Sequence, residues 1–262
     1  MLGALVALLA SGGGAVGASE PNRFDTIVID AGHGGGDDGA CGTGGLVEKD
    51  LVLDVARRLA GALGRDGLRV VMTRQDDTFV PLERRTWIAN DARGDLFLSI
   101  HANASADRAV RGIETYFMSL RASDAAAQAL AERENAAFGE AGSGGPAGGD
   151  AFLELMGDLI TGDYTRDSDE FARLAQAELG SIEERSRGVK QAPFVVLANV
   201  QMPSSLVEIG FVTNASDERL LSQRDRRDAI VQALVRAIRE FGRRYDARRG
   251  AAGEPPAALG GE

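Results

Sequence analysis

The chain has 262 residues, 44% of them hydrophobic and 5% aromatic, which is enough to bury the core of one sizeable α/β domain. Its formal net charge of −10, from 39 acidic against 29 basic residues, argues against a nucleic-acid binder, because phosphate binding depends on clustered Lys and Arg. The single cysteine, Cys41, excludes an internal disulfide and a thiolate-rich metal cluster.

In chain order, segment 1–20 is a short apolar run followed by small residues. It reads as a signal peptide or, since a basic leading region is missing, an apolar N-terminal tail. The run is too short to span a bilayer, and no membrane span is expected. Apolar runs of strand length follow at 26–30, 68–73, 95–100, 113–118, 194–197 and 205–209. Helical patterns fit 49–63, 82–91, 123–138, 168–183 and 217–245. Continuous runs such as IVI, LRVVM and LFLSI, alternating with helices, imply an α/β fold with three layers: a mostly parallel twisted sheet flanked by helices on both faces. The glycine-rich stretch 139–150 reads as a flexible loop within an insertion. Segment 247–262 lacks periodicity and reads as a disordered tail.

Ligands in such folds sit outside the carboxyl ends of the strands. That gives the chain's two histidines a shared address. His33 lies three residues past Asp30, where the first strand should end, and His101 directly follows the run LFLSI. Imidazole is the commonest metal ligand, and a catalytic zinc takes three protein ligands, His₂Glu among the known sets, with a position left for water. Glu48 stands where the glycine-rich loop gives way to a helical pattern. A glutamate there also complements the helix macrodipole, and position alone favours that plainer reading. Glu208, in SSLVEIGF, is flanked by apolar residues in a strand, where an ionised carboxylate is costly unless paired or bound to a metal. It suits a general base beside a zinc-bound water. Asp30 suits a carboxylate that orients a ligand histidine.

The ordered motifs VIDAGHGG, EKD, TR with LERRTWIAN, SIHAN, GIETYF, RGVKQAPFVVL and SSLVEIGFVTN resemble the zinc-dependent N-acetylmuramoyl-L-alanine amidases of the AmiC type, over roughly 24–244. The resemblance implies one zinc per chain, held by His33, Glu48 and His101, with Glu208 as the catalytic glutamate. It implies cleavage of the amide between N-acetylmuramic acid and L-alanine in peptidoglycan, in the periplasm or extracellular cell wall. Residues 21–246 would then form the catalytic domain, and Asn103 and Lys190 lie in motifs where substrate contact is expected. Residues 119–187 exceed what a minimal amidase needs. In division-associated relatives such an insertion carries a helix that places a glutamate on the zinc until an activator displaces it. The EREN of 132–135 matches that helix and marks Glu134 as the autoinhibitory candidate. The apolar, acidic stretch 150–160 is the expected docking surface for an activator.

Other readings fit less of the chain. Gly32 and Gly34 begin a dinucleotide-binding pattern, but Asp37 stands where its third glycine belongs. Cys41 as a nucleophile needs a base and an orienting group. A glycosidase built on Asp30 and Glu208 leaves both histidines idle. A wall-binding module has no use for a base, and a zinc peptidase acting on stem peptides would share the metal site but cut a different bond.

Overall fold

The computed structural model describes residues 23–136, 164–183 and 185–253. The candidate leader 1–20, the glycine-rich stretch 139–150, the docking stretch 150–160 and the end of the tail, 254–262, lie outside the described residues.

Six strands form one sheet in the order β2-β1-β3-β6-β4-β5. They are β1 (Thr26–Ala31), β2 (Arg69–Met72), β3 (Leu96–Asn103), β4 (Ile113–Met118), β5 (Ser186–Ala192) and β6 (Ser204–Phe211). Strands β1, β2, β3 and β6 run parallel, whereas β4 is antiparallel to β6 and parallel to β5. The helices are α1 (Glu48–Arg65), α2 (Leu82–Asp91), α3 (Ala125–Asn135), α4 (Thr165–Gly180), α5 (Val195–Ala198), α6 (Ala215–Leu221) and α7 (Arg224–Gly253).

Alternate residues of the buried strands feed two cores. Ile27 and Ile29 of β1 face one side with Leu59 of α1, Phe171 of α4 and Leu234 and Phe241 of α7. Val28 of the same strand faces the other, with Phe97, Tyr116, Leu130 of α3 and Phe194. Apolar side chains on both faces explain why these strands read as unbroken hydrophobic runs.

Three expectations are corrected. The run 194–197 is the short helix α5; Pro193, lacking an N–H, ends the preceding strand, and the side-chain oxygen of Asn135 accepts from Val195 N at 2.9 Å to cap the turn. The strand of that region is the more polar β5, an edge strand whose outward side chains hide its period. The helical pattern 217–245 is two helices, because Asn214 accepts from Ser216 N and Asp217 N to start α6 early and the chain breaks before Arg224. Finally, α7 continues to Gly253, so the first part of the expected tail is helical.

The sheet has its switch point between β1 and β3. One connection leaves β1 for β2, while β3 lies on its other side. The crevice outside their carboxyl ends is where such sheets bind ligands.

Candidate metal centre

His33 follows β1 with φ +60°, a left-handed conformation uncommon for a residue with a side chain and concentrated at functional sites. Arg85 of α2 fixes that geometry: its guanidinium donates to His33 O at 2.7 Å, to Ala31 O at 2.6 Å and to the Asp30 carboxylate at 2.8 Å. The ring then lies 4.9 Å, centroid to centroid, from that of His101 in β3. The intervening glycines leave room for this packing, since a Cβ on Gly32 would overlap the His101 ring and one on Gly39 would crowd His33 and Glu48.

Glu48 is the first residue of α1 and is buried. One carboxylate oxygen accepts from Ala40 N at 2.8 Å and the other from Ala102 N at 2.9 Å. Burial acts to raise its pKa, but the two histidines more than reverse this and hold it below the ordinary carboxylate range. Glu134, at the end of α3, reaches the same spot from the opposite side.

The ligand atoms of His33, Glu48 and His101 lie close enough together to hold one ion, and Glu134 approaches both histidines. His33 Nε2 lies 3.0 Å from Glu48 and 3.4 Å from Glu134, and His101 Nδ1 lies 3.2 Å from each. Metal–ligand bonds of about 2.0–2.1 Å in a tetrahedron imply ligand–ligand edges of roughly 3.3 Å. His33 Nε2 is buried and faces only the carboxylates of Glu48 and Glu134. The other nitrogen, Nδ1, pairs with Asp37 at 2.9 Å. A carboxylate in that place fixes the ring and its tautomer. These residues therefore fit a dication bound through nitrogen and oxygen donors.

Glu208 lies opposite His101 in the β3–β6 register and opposite Glu114 in the β4–β6 register. Side chains so paired share one face of the sheet. It is fully buried, and neither carboxylate oxygen has a hydrogen-bond partner. Burial, reinforced by Glu48 and Glu134, pushes its pKa well above the usual range against the pull of His101 and Arg133. His101, Glu134 and Glu208 also have ligand atoms within 4.8 Å of one another.

The remaining candidates are placed differently from expectation. Asp30 touches neither histidine. Its oxygens accept from Thr73, Ser99 and Arg85 at 2.6 to 2.8 Å, and the carboxylate that orients His33 is Asp37. Asn103 donates to Glu114 at 3.3 Å and accepts from Arg133 at 3.1 Å. Lys190 Nζ pairs with Glu114 at 3.0 Å and with Asp124, the N-cap of α3, at 3.2 Å. Cys41 is exposed. The cavity at the centre measures about 690 Å³ and is lined by His33, Glu48 and His101 together with Arg133 and Glu134 of α3.

Sequence reasoning missed Asp37, Arg85, Arg133 and Glu114. Glu114 carried a usable signal: like Glu208, it is a lone charge in an apolar strand, and it is buried with Tyr116, Arg187, Lys190 and Asn103 around it.

No helix among the described residues is long and apolar enough to cross a membrane. The profile of the N-acetylmuramoyl-L-alanine amidase family matches residues 27–240. Over 228 residues the chain is 35% identical to N-acetylmuramoyl-L-alanine amidase AmiC of Neisseria meningitidis serogroup B, covering 86% of this chain and 54% of that protein. It is 35% identical over 222 residues to AmiA of Escherichia coli K12, covering 84% of this chain and 77% of AmiA. The chain thus spans about half the length of the AmiC relatives it matches. Among solved structures, AmiC2 of Nostoc punctiforme superposes with a TM-score of 0.60 at 29% identity, covering 83% of this chain and 97% of that one. An N-acetylmuramoyl-L-alanine amidase from Clostridium difficile 630 superposes with a TM-score of 0.63 at 27% identity, covering 84% and 97%. With the profile matched from β1 into α7 and relatives at this identity, the chain belongs to the N-acetylmuramoyl-L-alanine amidase family.

Proposed function

We propose that this chain hydrolyses the amide between N-acetylmuramic acid and the L-alanine of the stem peptide in peptidoglycan, with one zinc ion held by His33, Glu48 and His101 and with Glu208 as the base. The observation that carries this reading is the meeting of a His33–Glu48–His101 donor set with a neighbouring, wholly buried carboxylate, Glu208, that has no hydrogen-bond partner. Bound among these donors, zinc supplies a Lewis acid that polarises the scissile carbonyl and lowers the pKa of water. On this reading Glu208 is the base that takes the proton of the attacking water and returns it to the nitrogen of the leaving L-alanine. Its desolvation favours proton uptake, the property the step demands. Asp37 holds His33 in orientation, and the Arg85–Asp30 pair holds the backbone that presents it.

The same geometry supports an off state. Glu134, 3.4 Å from His33 and 3.2 Å from His101, would take the position that the attacking water needs. On this reading the part of 119–187 that carries α3 is regulatory, and an activator protein that docks on it withdraws α3, whereas α4, with Phe171 in the main core, and the start of β5 belong to the catalytic fold rather than to an insertion. The chain then acts where peptidoglycan is, exported to the periplasm or the extracellular cell wall, in remodelling such as daughter-cell separation.

Digestion of purified peptidoglycan by the zinc-loaded Glu134→Ala protein, followed by mass analysis, tests the reading. New muramic-acid ends and free L-alanine amino termini are expected, and Glu208→Gln in that background should keep the zinc and lose turnover. Reducing sugar ends, cleavage between two stem-peptide residues, or full turnover by Glu208→Gln would refute it.

A further inference from the structure

Strand β2 runs parallel to β1, so its carboxyl end reaches the rim on which His33 stands. The pairing continues one residue further, where Thr73 N donates to Ile29 O at 3.0 Å. Arg74, the arginine of the TR motif, comes next, and its side chain is buried. Its guanidinium donates through Nε to Ala31 O at 2.9 Å, through Nη1 to Asp76 O at 3.0 Å, and through Nη2 to both Gly32 O at 2.7 Å and Lys49 O at 2.8 Å. Gly32 immediately precedes His33, and Lys49 immediately follows Glu48. One guanidinium nitrogen thus spans the two chain segments that present two of the three proposed metal ligands.

The backbone is shaped to accept this clamp. A Cβ on Gly34 (φ +123°) would collide with Thr78 O and press on the Arg74 side chain, so glycine lets the His33 loop lie against the guanidinium. Lys49 adds a second tie from outside, its Nζ donating to Gly35 O at 2.7 Å, but it also pairs with Asp38 and Asp77, both exposed. Exposed pairs contribute little, whereas a charged donor on a buried carbonyl makes a strong hydrogen bond. The four acceptors of Arg74 are all backbone carbonyls, none a carboxylate. Burying a cation is costly, and a cation gains nothing electrostatically from a dication nearby. What Arg74 supplies is therefore geometry: a planar fork that fixes the spacing of several carbonyls at once, which a lysine ammonium does not reproduce.

We infer that Arg74 is a positioning residue of the metal centre: by holding Gly32 O and Lys49 O on one nitrogen it sets the separation of His33 from Glu48, and with it the affinity and coordination geometry of the bound ion. The inference rests on the reading of His33, Glu48 and His101 as zinc ligands. His101 lies inside β3 and is fixed by its pairing with β6. The other two ligands have no such ladder. His33 stands in the loop beyond β1, and Glu48 is the first residue of α1, where the N-cap Val47 offers no side-chain hydrogen bond. Arg74 ties together the two ligand segments that strand pairing leaves free. The competing role is a plain staple among β1, β2 and α1, which would move the stability of the fold and leave the ion unchanged.

The experiment measures metal binding by the full chain, wild type against Arg74→Lys and Arg74→Ala. Arg226→Lys serves as the comparison, since Arg226 bonds Ile182 O and Glu183, outside the ligand segments. Chelator competition should show zinc held at least about tenfold more weakly by Arg74→Lys, and more weakly again by Arg74→Ala, as is usual when a group that orients a ligand is lost. Cobalt(II) in place of zinc reports the shape of the site. Wild type should give the strong visible absorption of four-coordinate cobalt, and Arg74→Lys should shift and weaken it at saturation. Arg226→Lys should match wild type in both measurements. Should Arg74→Ala fail to fold, Arg74→Lys, which keeps the charge, decides. Wild-type zinc affinity and an unchanged cobalt spectrum in Arg74→Lys, whatever its melting temperature, overturn the positioning role and leave the staple. A loss of zinc affinity in Arg226→Lys as large as in Arg74→Lys overturns it too, because the effect is then global. Failure of the amidase reading looks different: Arg74-dependent zinc binding in a chain that leaves peptidoglycan uncut as Glu134→Ala sinks that reading and keeps the clamp. Cleavage with Arg74-independent zinc affinity does the reverse.

Discussion

Glu134 approaches Nδ1 of His101 at 3.2 Å, the same distance at which Glu48 approaches it. The two carboxylates differ in what carries them. Glu48 opens α1, whose Leu51, Val52, Val55, Ala56 and Leu59 are buried in the main core. Glu134 ends α3, which buries only Ala127, Leu130 and Ala131. By apolar area, about 25 cal/mol per Å², detaching α3 is far cheaper than detaching α1. On the proposed zinc reading, Glu48 would be the fixed ligand and Glu134 the removable one.

Glu134→Ala should raise basal peptidoglycan cleavage by at least about tenfold, because the closed state loses the contact that favours it. Zinc content should stay at one per chain, since three donors remain. Turnover assays with metal analysis check both halves. An unchanged rate in a folded, zinc-loaded protein would refute the off state.

The neighbours of Glu134 form a latch. Arg133 donates to Ala104 O and to Asn103, each at 3.1 Å, and Asn135 donates to Pro193 O at 2.8 Å while accepting from Val195 N at 2.9 Å. Two hydrogen bonds at a net ~1 kcal/mol each suggest that Asn135→Ala enlarges the detached population by roughly tenfold or more. Once Glu134→Ala has detached α3 in most molecules the same substitution can add little, because the detached fraction saturates. No rise in basal cleavage from Asn135→Ala alone would show that Asn135 is not part of the latch.

Much of this was legible from residue patterns, for physical reasons that also explain the gaps. Strands β1, β3 and β6 are buried on both faces and read as apolar runs, and Glu208 announced itself as a charge inside one of them. Strand β5 is an edge whose serine, arginine, lysine and glutamine carry no apolar period, so the nearby apolar run 194–197 took its place. Asp37 was hidden because its meeting with the His33 ring depends on a left-handed backbone at His33, which no periodicity encodes. Asp30 was misread because the strand end placed it near His33 but gave no sign that Arg85, far along the chain, would claim it.

Protons and zinc should compete at the histidines. In the metal-free protein, burial acts to lower the pKa of His33, but Glu48 and Asp37 raise it to about 9, and that of His101 is also raised. Zinc uptake near pH 7 should therefore release about two protons per ion, seen as a buffer-dependent enthalpy in calorimetry, and affinity should rise with pH. The stabilisation from a raised pKa is complete below the unfolded value of 6.5 and lost as pH climbs through the folded one. The melting temperature of the metal-free protein should thus gain a falling contribution between pH 6.5 and about 9 that the zinc-loaded protein lacks. Identical pH profiles for the two forms would show that these histidines are neutral without metal.

Asp30→Asn separates a structural role from a metal-orienting one. The carboxylate and Arg85 are both buried, and Thr73 and Ser99 complete the carboxylate's hydrogen bonds. Removing one partner of a buried pair costs about 3–5 kcal/mol, because a guanidinium is left without its counter-charge; the amide retains part of the hydrogen bonding and should sit at the lower end. Despite desolvation, which acts to raise it, the pKa of Asp30 is held below its ordinary value by Arg85 and the two hydroxyls. A depressed pKa contributes stability that is present above the unfolded value of 3.8 and lost as pH falls through the folded one, so wild type should lose this term in acid while Asp30→Asn has none to lose. The stability gap between them should narrow below about pH 4 in urea titrations. Zinc affinity at neutral pH should change less than it does in Asp37→Ala, because Asp37 bonds the ring of His33 and Asp30 reaches His33 only through the carbonyl that Arg85 holds. A larger loss of zinc in Asp30→Asn than in Asp37→Ala would return the orienting role to Asp30.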